Sequence, residues 1–150
     1  MSTISRRISI PVAILIALVA APTVTGCSMV QGIIEEQTGG KVDLGGKSIP
    51  ADFPTADVPL VAGDIVYGAG ITTGDGQVWN VTINVAGANP YDSISTQLTG
   101  AGFSAQVGMG GSTDDGGAAT FDSAKYGVAV LISKDGSGKF VVNYTVTTIK

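Results

Sequence analysis

Residues 77–103, QVWNVTINVAGANPYDSISTQLTGAGF, change their hydrophobic period halfway along. In QVWNVTINV apolar and polar residues alternate, which is the pattern of a strand with one buried face. Asn89 is a favoured helix N-cap and Pro90 suits a first helical position, and apolar residues then recur at helical spacing until Gly100 or Gly102. The stretch predicts a strand followed by one amphipathic helix, with Trp79 in the core between sheet and helix.

Further strands are predicted on both sides of this stretch. DIVYGAGIT precedes it, with one face formed by Ile65, Tyr67, Ala69 and Ile71. The strands that follow it are FSAQVGM at 103–109, a short AATFDS at 118–123, YGVAVLIS at 126–133 and FVVNYTVTTI at 140–149. The β-β-α-β-β-β order predicts a two-layer α+β domain, in which one helix packs on one face of an antiparallel sheet of about five or six strands. The alternative is a pure β-sandwich, in which the capped helix does not form.

The N-terminus has the features of an export signal. Arg6 and Arg7 precede an apolar run that is shorter than a typical membrane-spanning helix. The run leads to VTGC at 24–27, an aliphatic residue and two small residues before the only cysteine, which is typical of a lipoprotein cleavage site. The sequence predicts a lipoprotein signal peptide at 1–26 and lipidation of Cys27. A short transmembrane anchor is the alternative, and the export route, Sec or twin-arginine, stays open.

The predicted mature chain divides into a tether and a domain. Residues 27–52 contain the pairs Gly39-Gly40 and Gly45-Gly46 and have little hydrophobic period. They are predicted to be the lipidated N-terminus and a flexible tether. Residues 53–150 are predicted to be the single α+β domain. The tether would hold that domain away from the membrane.

Three segments together resemble a known group of proteins. They are GGKSIPADFPTADVPLVAGDIVYGA, VWNVTINV and ISTQLTGAGF. With the leader, they resemble a group of small uncharacterised lipoproteins of actinobacteria, whose members combine a lipobox with FP…VPL, WNVT and L…AGF motifs. The resemblance covers nearly the whole chain. It implies a lipid-anchored protein on the extracytoplasmic face of the cell membrane, and it implies no site residues.

The residue inventory excludes several kinds of chemistry. Histidine is absent, Cys27 is assigned to lipid, and acidic residues outnumber basic ones by 12 to 8. Histidine-based catalysis, zinc ligation and nucleic-acid binding therefore lack their usual residues. Asp114 and Asp115 are adjacent, whereas calcium loops place carboxylates at alternating positions. The sequence predicts no cofactor, no metal and no enzymatic activity.

Two strands carry a row of uncharged polar residues on the face opposite their apolar residues. If these strands are neighbours, one flat patch forms from Asn80, Thr82, Asn84, Asn143, Thr145 and Thr147. Such a patch is a candidate binding face for a glycan or a protein. The alternative is an ordinary solvated face built from residues with good strand propensity.

The sequence therefore predicts a lipid-anchored protein of the cell envelope that acts as a non-catalytic binding or accessory module. Its partners would be the membrane, through the anchor, and an envelope protein or glycan. The alternative is an envelope hydrolase or lyase that uses Asp, Tyr or Lys side chains without metal. That alternative requires carboxylates such as Asp64, Asp92 or Asp122 to converge in a cleft.

Overall fold

The computed structural model describes residues 41–150. They form one helix and eight strands: β1 (Lys41–Gly46), β2 (Asp64–Thr73), β3 (Gly76–Val85), α1 (Tyr91–Gly100), β4 (Ser104–Ala105), β5 (Gly111–Thr113), β6 (Gly116–Asp122), β7 (Tyr126–Lys134) and β8 (Phe140–Thr148). The predicted signal peptide, Cys27 and the first part of the predicted tether lie outside the described residues. Within 41–150, α1 is too short and too polar to cross a membrane.

All strands join in one antiparallel sheet in the order β1-β2-β3-β8-β7-β6-β4, and β5 also pairs with β6. Most neighbours are consecutive along the chain and joined by short connections. The exception at the centre is β3 with β8, which pair from Val78 opposite Thr147 to Val85 opposite Phe140. This long-range pair holds the two halves of the sheet together.

The predicted α+β class with an antiparallel sheet and one helix is confirmed for the described residues. The predicted number of five or six strands and the β-β-α-β-β-β order are wrong, because the sheet has eight strands. One added strand, β1, lies inside the segment predicted to be a flexible tether. The second added strand arises between α1 and β7, where β4, β5 and β6 replace two predicted strands.

The alternation in FSAQVGM is misleading because the chain turns within it. Only Ser104–Ala105 pairs with β6, and Gly108 then adopts a φ of 81°. Met109 donates its N–H to the Gln106 carbonyl at 3.4 Å, which closes the turn. Val107 is consequently fully exposed, although its apolar character favoured a buried strand position.

Because of a β-bulge in β2, the prediction that Ile65, Tyr67, Ala69 and Ile71 share one face is also wrong. The register shifts between Ile65 and Tyr67, so Ile65 packs against the core while Tyr67 and Ile71 are exposed on the opposite side. After the bulge, Gly68 and Gly70 point towards the core. A Cβ on Gly70 would lie 2.9 Å from Trp79 Cδ1, so glycine is what allows the indole to approach this strand.

One side of the sheet is covered by two pieces of chain. Helix α1 contributes Ile94 and Leu98 to the core and packs near β4 and β6. The segment between β1 and β2 contributes three further buried residues, Phe53, Val58 and Val61. Both pieces belong to a single hydrophobic cluster with the inward residues of β3, β6, β7 and β8.

Trp79 is 2% exposed, so its predicted place in the core is confirmed. The segment before β2 covers it, and Tyr126 of β7 also meets its ring edge-on at 6.2 Å. Its ring meets Phe53 edge-on at 6.1 Å, and Nε1 donates to Asp52 Oδ1 at 3.0 Å. The indole therefore fastens residues 52–53 to the sheet as well as filling the core.

The polar loop before α1 fixes where the helix begins. Asn89 Oδ1 accepts from the Tyr91 N–H at 3.1 Å, and its amide donates to the carbonyls of Thr113 and Gly116 at 2.8 and 3.0 Å. The side chain thus ties the helix N-terminus to the β5–β6 hairpin. The predicted N-cap is one residue too early, because α1 begins at Tyr91 with Pro90 as its N-cap residue and without a side-chain cap hydrogen bond. Asn89 instead binds the Tyr91 N–H from just outside the helix.

Candidate binding face

The sheet side that α1 does not cover is called here the open face. It consists of the outward side chains of β2, β3, β8, β7 and β6. Charged residues in these five strands are Asp64, Asp122 and Lys134, and each stands at a strand end. The interior of the open face is therefore uncharged, in a chain with a net charge of −4.

Four of the six predicted patch residues meet in one network. In the β3–β8 register Asn80 stands opposite Thr145, and Thr82 stands opposite Asn143. Asn80 Nδ2 donates to Asn143 Oδ1 at 3.1 Å, and Asn143 Nδ2 donates back to Asn80 Oδ1 at 2.9 Å. We call these four residues the amide ladder. The two strands are neighbours, which is the condition on which the patch depended.

The amide donors of the ladder are all used within it. Asn80 Nδ2 also donates to Thr145 Oγ1 at 3.1 Å, and Asn143 Nδ2 also donates to Thr82 Oγ1 at 2.9 Å. A side-chain amide has two N–H donors, so both amides are saturated. A glycan that approached the ladder would find acceptor oxygens and hydroxyl groups but no free amide donor. The ladder is therefore better suited to being covered than to recognising hydroxyl groups.

The two remaining patch residues lie at the ends of the row, outside the ladder. Asn84 stands opposite Val141, and Thr147 stands opposite Val78. The Thr147 hydroxyl donates to the Gly127 carbonyl at a long 3.5 Å. Both side chains are half-buried, like those of the ladder.

Apolar side chains flank the ladder on both sides, and sequence reasoning did not assign them to a site. Tyr67, next to Thr82 on β2, is 42% exposed, and Leu131, next to Asn143 on β7, is 59% exposed. Ile71 and Val78 add a second exposed pair, at 40% and 42%. Leu131 was recognisable from the alternation of YGVAVLIS, whereas Tyr67 and Ile71 were hidden by the bulge in β2.

A shallow depression of about 290 Å³ lies on the open face beside the ladder. Its rim is the turn after β4, where Met109 is 60% exposed, and its floor includes Ala118, Leu131 and Asn143. The walls combine a thioether, methyl groups and the edge of the ladder. This lining is suited to an apolar side chain of a partner.

A second depression, of about 480 Å³, lies at the end of the sheet near the start of α1. Its lining includes Asp92, Asp114 and Lys134, and Lys134 forms an exposed ion pair with Asp115 at 3.6 Å. Lys134 Nζ also lies 5.9 Å from the centre of the Phe140 ring. Ionic groups in this cleft are open to water, which weakens their interactions.

The carboxylates that the hydrolase alternative required do not converge. Asp64 begins β2 and Asp122 ends β6, with three strands between them, which corresponds to roughly 19 Å at ~4.8 Å per strand. Asp92 lies in the first turn of α1. Among residues 41–150 no group of three or more metal-ligating side chains is gathered.

Within residues 41–150 two groups have perturbed pKa values, and both have structural causes. Burial raises the pKa of Tyr144 to about 12, and the hydroxyl accepts the Val61 N–H at 3.1 Å. Hydrogen bonds from the Ser137 side chain and from the Lys139 N–H lower the pKa of Asp135 in the β7–β8 turn. Tyr144 holds the segment before β2 against the core, and Asp135 shapes a hairpin.

Comparison with known proteins adds no relative. No protein-family model matches the chain, and no curated protein or solved structure matches it. The candidate site is therefore defined by its geometry. Cys27, the predicted lipidation residue, lies outside the described residues.

Proposed function

We propose that the chain is a lipid-anchored, non-catalytic interaction module of the cell envelope, with the open face as its contact surface. The single observation that carries the contact surface is the uncharged interior of that face, with its saturated amide ladder and exposed apolar flanks. Solvated sheet faces usually present charged side chains among their polar ones. A broad uncharged surface with exposed tyrosine and leucine is typical of a surface that another molecule covers.

The location rests on the N-terminal sequence. Basic residues, an apolar run and VTGC at 24–27 favour export followed by acylation of Cys27 on the outer side of the cell membrane. Acyl chains hold a protein at the membrane without a spanning helix. The resemblance to small actinobacterial lipoproteins supports the same location.

The chemistry of the ladder favours a protein partner over a glycan. Sugar recognition relies on side-chain donors and acceptors that are free to exchange water for sugar hydroxyls. In the ladder both amide N–H pairs already have partners at 2.9–3.1 Å. Burial against apolar side chains leaves those bonds intact, so the cost of removing water from them is small.

Site-specific photo-crosslinking in intact cells tests this proposal. A photoreactive amino acid replaces Leu131 on the open face, and a matched variant carries it at Gln97, which is exposed on α1. Adducts formed at position 131 and absent at position 97 support the proposal. Equal yields at the two positions, or no adduct at either, would show that the open face is an ordinary solvated surface.

A further inference from the structure

We propose that the partner of the open face is a second copy of this chain, packed face to face. The inference rests on the proposed function, because it names the occupant of the same surface. It is supported by the charge of the face, by its area, by the internal hydrogen bonds of the amide ladder and by the arrangement of large and small side chains across the face.

The open face has an uncharged interior although the chain as a whole is acidic. The chain carries 12 acidic and 8 basic residues, so two copies repel each other on average. The open face is a surface through which they can approach without bringing like charges together, because Asp64, Asp122 and Lys134 all lie at strand ends. A partner of strong charge would gain no ion pair from the interior of this face.

The area is sufficient for a weak, reversible dimer. Five strands at ~4.8 Å spacing and seven residues at ~3.3 Å rise give a rectangle of roughly 24 by 23 Å, or about 550 Å² before the side chains roughen it. Stable interfaces begin at about 600 Å² per partner. The face therefore lies just below the range of stable interfaces, where association is weak and depends on concentration.

The cost of burial is low at the centre. The ladder residues keep their hydrogen bonds to each other when water leaves, so no amide N–H is left without an acceptor. The flanks supply the favourable term, because Tyr67, Ile71, Val78 and Leu131 lose exposed apolar area.

Symmetry adds a specific arrangement. In the order β2-β3-β8-β7-β6 the central strand is β8, and Tyr67, Thr82, Asn143, Leu131 and Ala118 stand in one row across it. A two-fold axis that runs parallel to β8 in the plane of the interface places a second copy face to face with the first. The row of the second copy then lies against that of the first in the opposite order. Tyr67 of one copy then faces Ala118 of the second copy, and Leu131 faces Thr82. Within this row large side chains meet small ones on both sides of the axis, as a self-complementary interface requires. In the row of Val78 and Thr147 the same axis sets Ile71 opposite Asp122 of the second copy.

The test uses two full-length copies with different epitope tags, co-expressed in the native cell. The first copy carries the photoreactive residue at position 131, and irradiation is expected to give an adduct of twice the monomer mass that contains both tags. In the second copy, Ala118→Lys places an ammonium group opposite Tyr67 of the first. We expect it to reduce the two-tag adduct about tenfold or more, because the charge would be buried without a partner.

The matched control in the second copy is Gln97→Lys, which adds the same charge on the exposed surface of α1 and is expected to leave the yield unchanged. Ala118 is exposed, and an unchanged melting temperature of the Ala118→Lys protein verifies that it folds. An adduct of a different mass with one tag would overturn the second copy as partner while leaving the proposed function intact. Absence of any adduct above the level at position 97 would overturn both.

Discussion

Asn80 and Asn143 bond to each other through both of their amide groups, with N···O distances of 3.1 and 2.9 Å across the β3–β8 pair. The two residues are 63 positions apart in the chain. Since β3 and β8 form the long-range junction at the centre of the sheet, this exchange joins the two halves in the register that places their apolar residues in the core. The same bonds leave the centre of the open face without free amide donors.

Asn143→Ala is expected to lower the free energy of unfolding by about 1–2 kcal/mol, because Asn80 then loses a donor and an acceptor in a half-buried position. Denaturant unfolding of the two single variants and of Asn80→Ala/Asn143→Ala should give a coupling energy of about 1 kcal/mol. Asn84→Ala, opposite Val141 on the same face, is the control and should stay within about 0.5 kcal/mol. A coupling energy of zero would mean that the ladder does not act as a unit.

Gly68→Ala is expected to destabilise the protein by about 1–3 kcal/mol, because the new Cβ overlaps with the Ser48 carbonyl oxygen. Gly74→Ala adds the same methyl group in open space between β2 and β3 and should change stability by less than about 0.5 kcal/mol. Thermal unfolding of both variants makes the comparison. Equal melting temperatures would show that the segment after β1 does not rest on β2.

Trp79→Ala is expected to cost about 3–5 kcal/mol, because it removes a fully buried indole from the core. The milder Asp52→Ala leaves the ring in place and removes its hydrogen-bond acceptor at 3.0 Å, which should cost about 0.5–1.5 kcal/mol. Native tryptophan emission should be blue-shifted and protected from quenchers in Asp52→Ala as in the parent. Free quenching in the parent protein would place the indole in solvent.

Stability is expected to fall above pH 10. The pKa of Tyr144 is raised from 10.0 to about 12, so between these values the unfolded chain loses the phenolic proton while the folded chain keeps it. The unfolded state then binds fewer protons, and the free energy of unfolding decreases with pH by up to about 2–3 kcal/mol. Tyr144→Phe should be less stable at neutral pH, because the Val61 N–H loses its acceptor, and should show a shallower decline. An identical slope in both proteins would assign the alkaline loss to other groups.

Much of the fold was predictable because short-range sequence patterns indicate it. The strict alternation in QVWNVTINV and FVVNYTVTTI placed Trp79 and Tyr144 inside and Asn80 and Asn143 outside, as found. Asn89 and Pro90 marked the start of the helix. Each of these signals lies within a few residues of the feature that it describes.

The remaining features depend on contacts distant in sequence or on local backbone conformation, and hydrophobic periodicity indicates neither. The bulge between Ile65 and Tyr67 exchanged the faces of β2, and it turns Gly68 and Gly70 towards the side where Ser48 and Trp79 approach the strand. The turn at Gly108 stopped a strand that the apolar pattern of 103–109 favoured. The strand β1 itself has little alternation and depends on β2 for its pairing.

The candidate face was predicted in part. The six Asn and Thr residues do share one face, but four of them bond to each other, and this was not visible without the register. The sequence did not assign the exposed apolar residues that flank the face, Tyr67 and Leu131, to the candidate site. Their exposure is the reason we propose a protein, out of the two partner classes expected from the sequence, a glycan or a protein.

The most direct test of the open face as a covered surface is hydroxyl-radical footprinting in native membranes, compared with the same protein solubilised and highly diluted. We expect labelling of Tyr67 and Leu131 to be several-fold lower in the membranes, while Val107, fully exposed at the turn after β4, is labelled equally in both samples. Equal labelling of Tyr67 and Leu131 in the two samples would contradict the account.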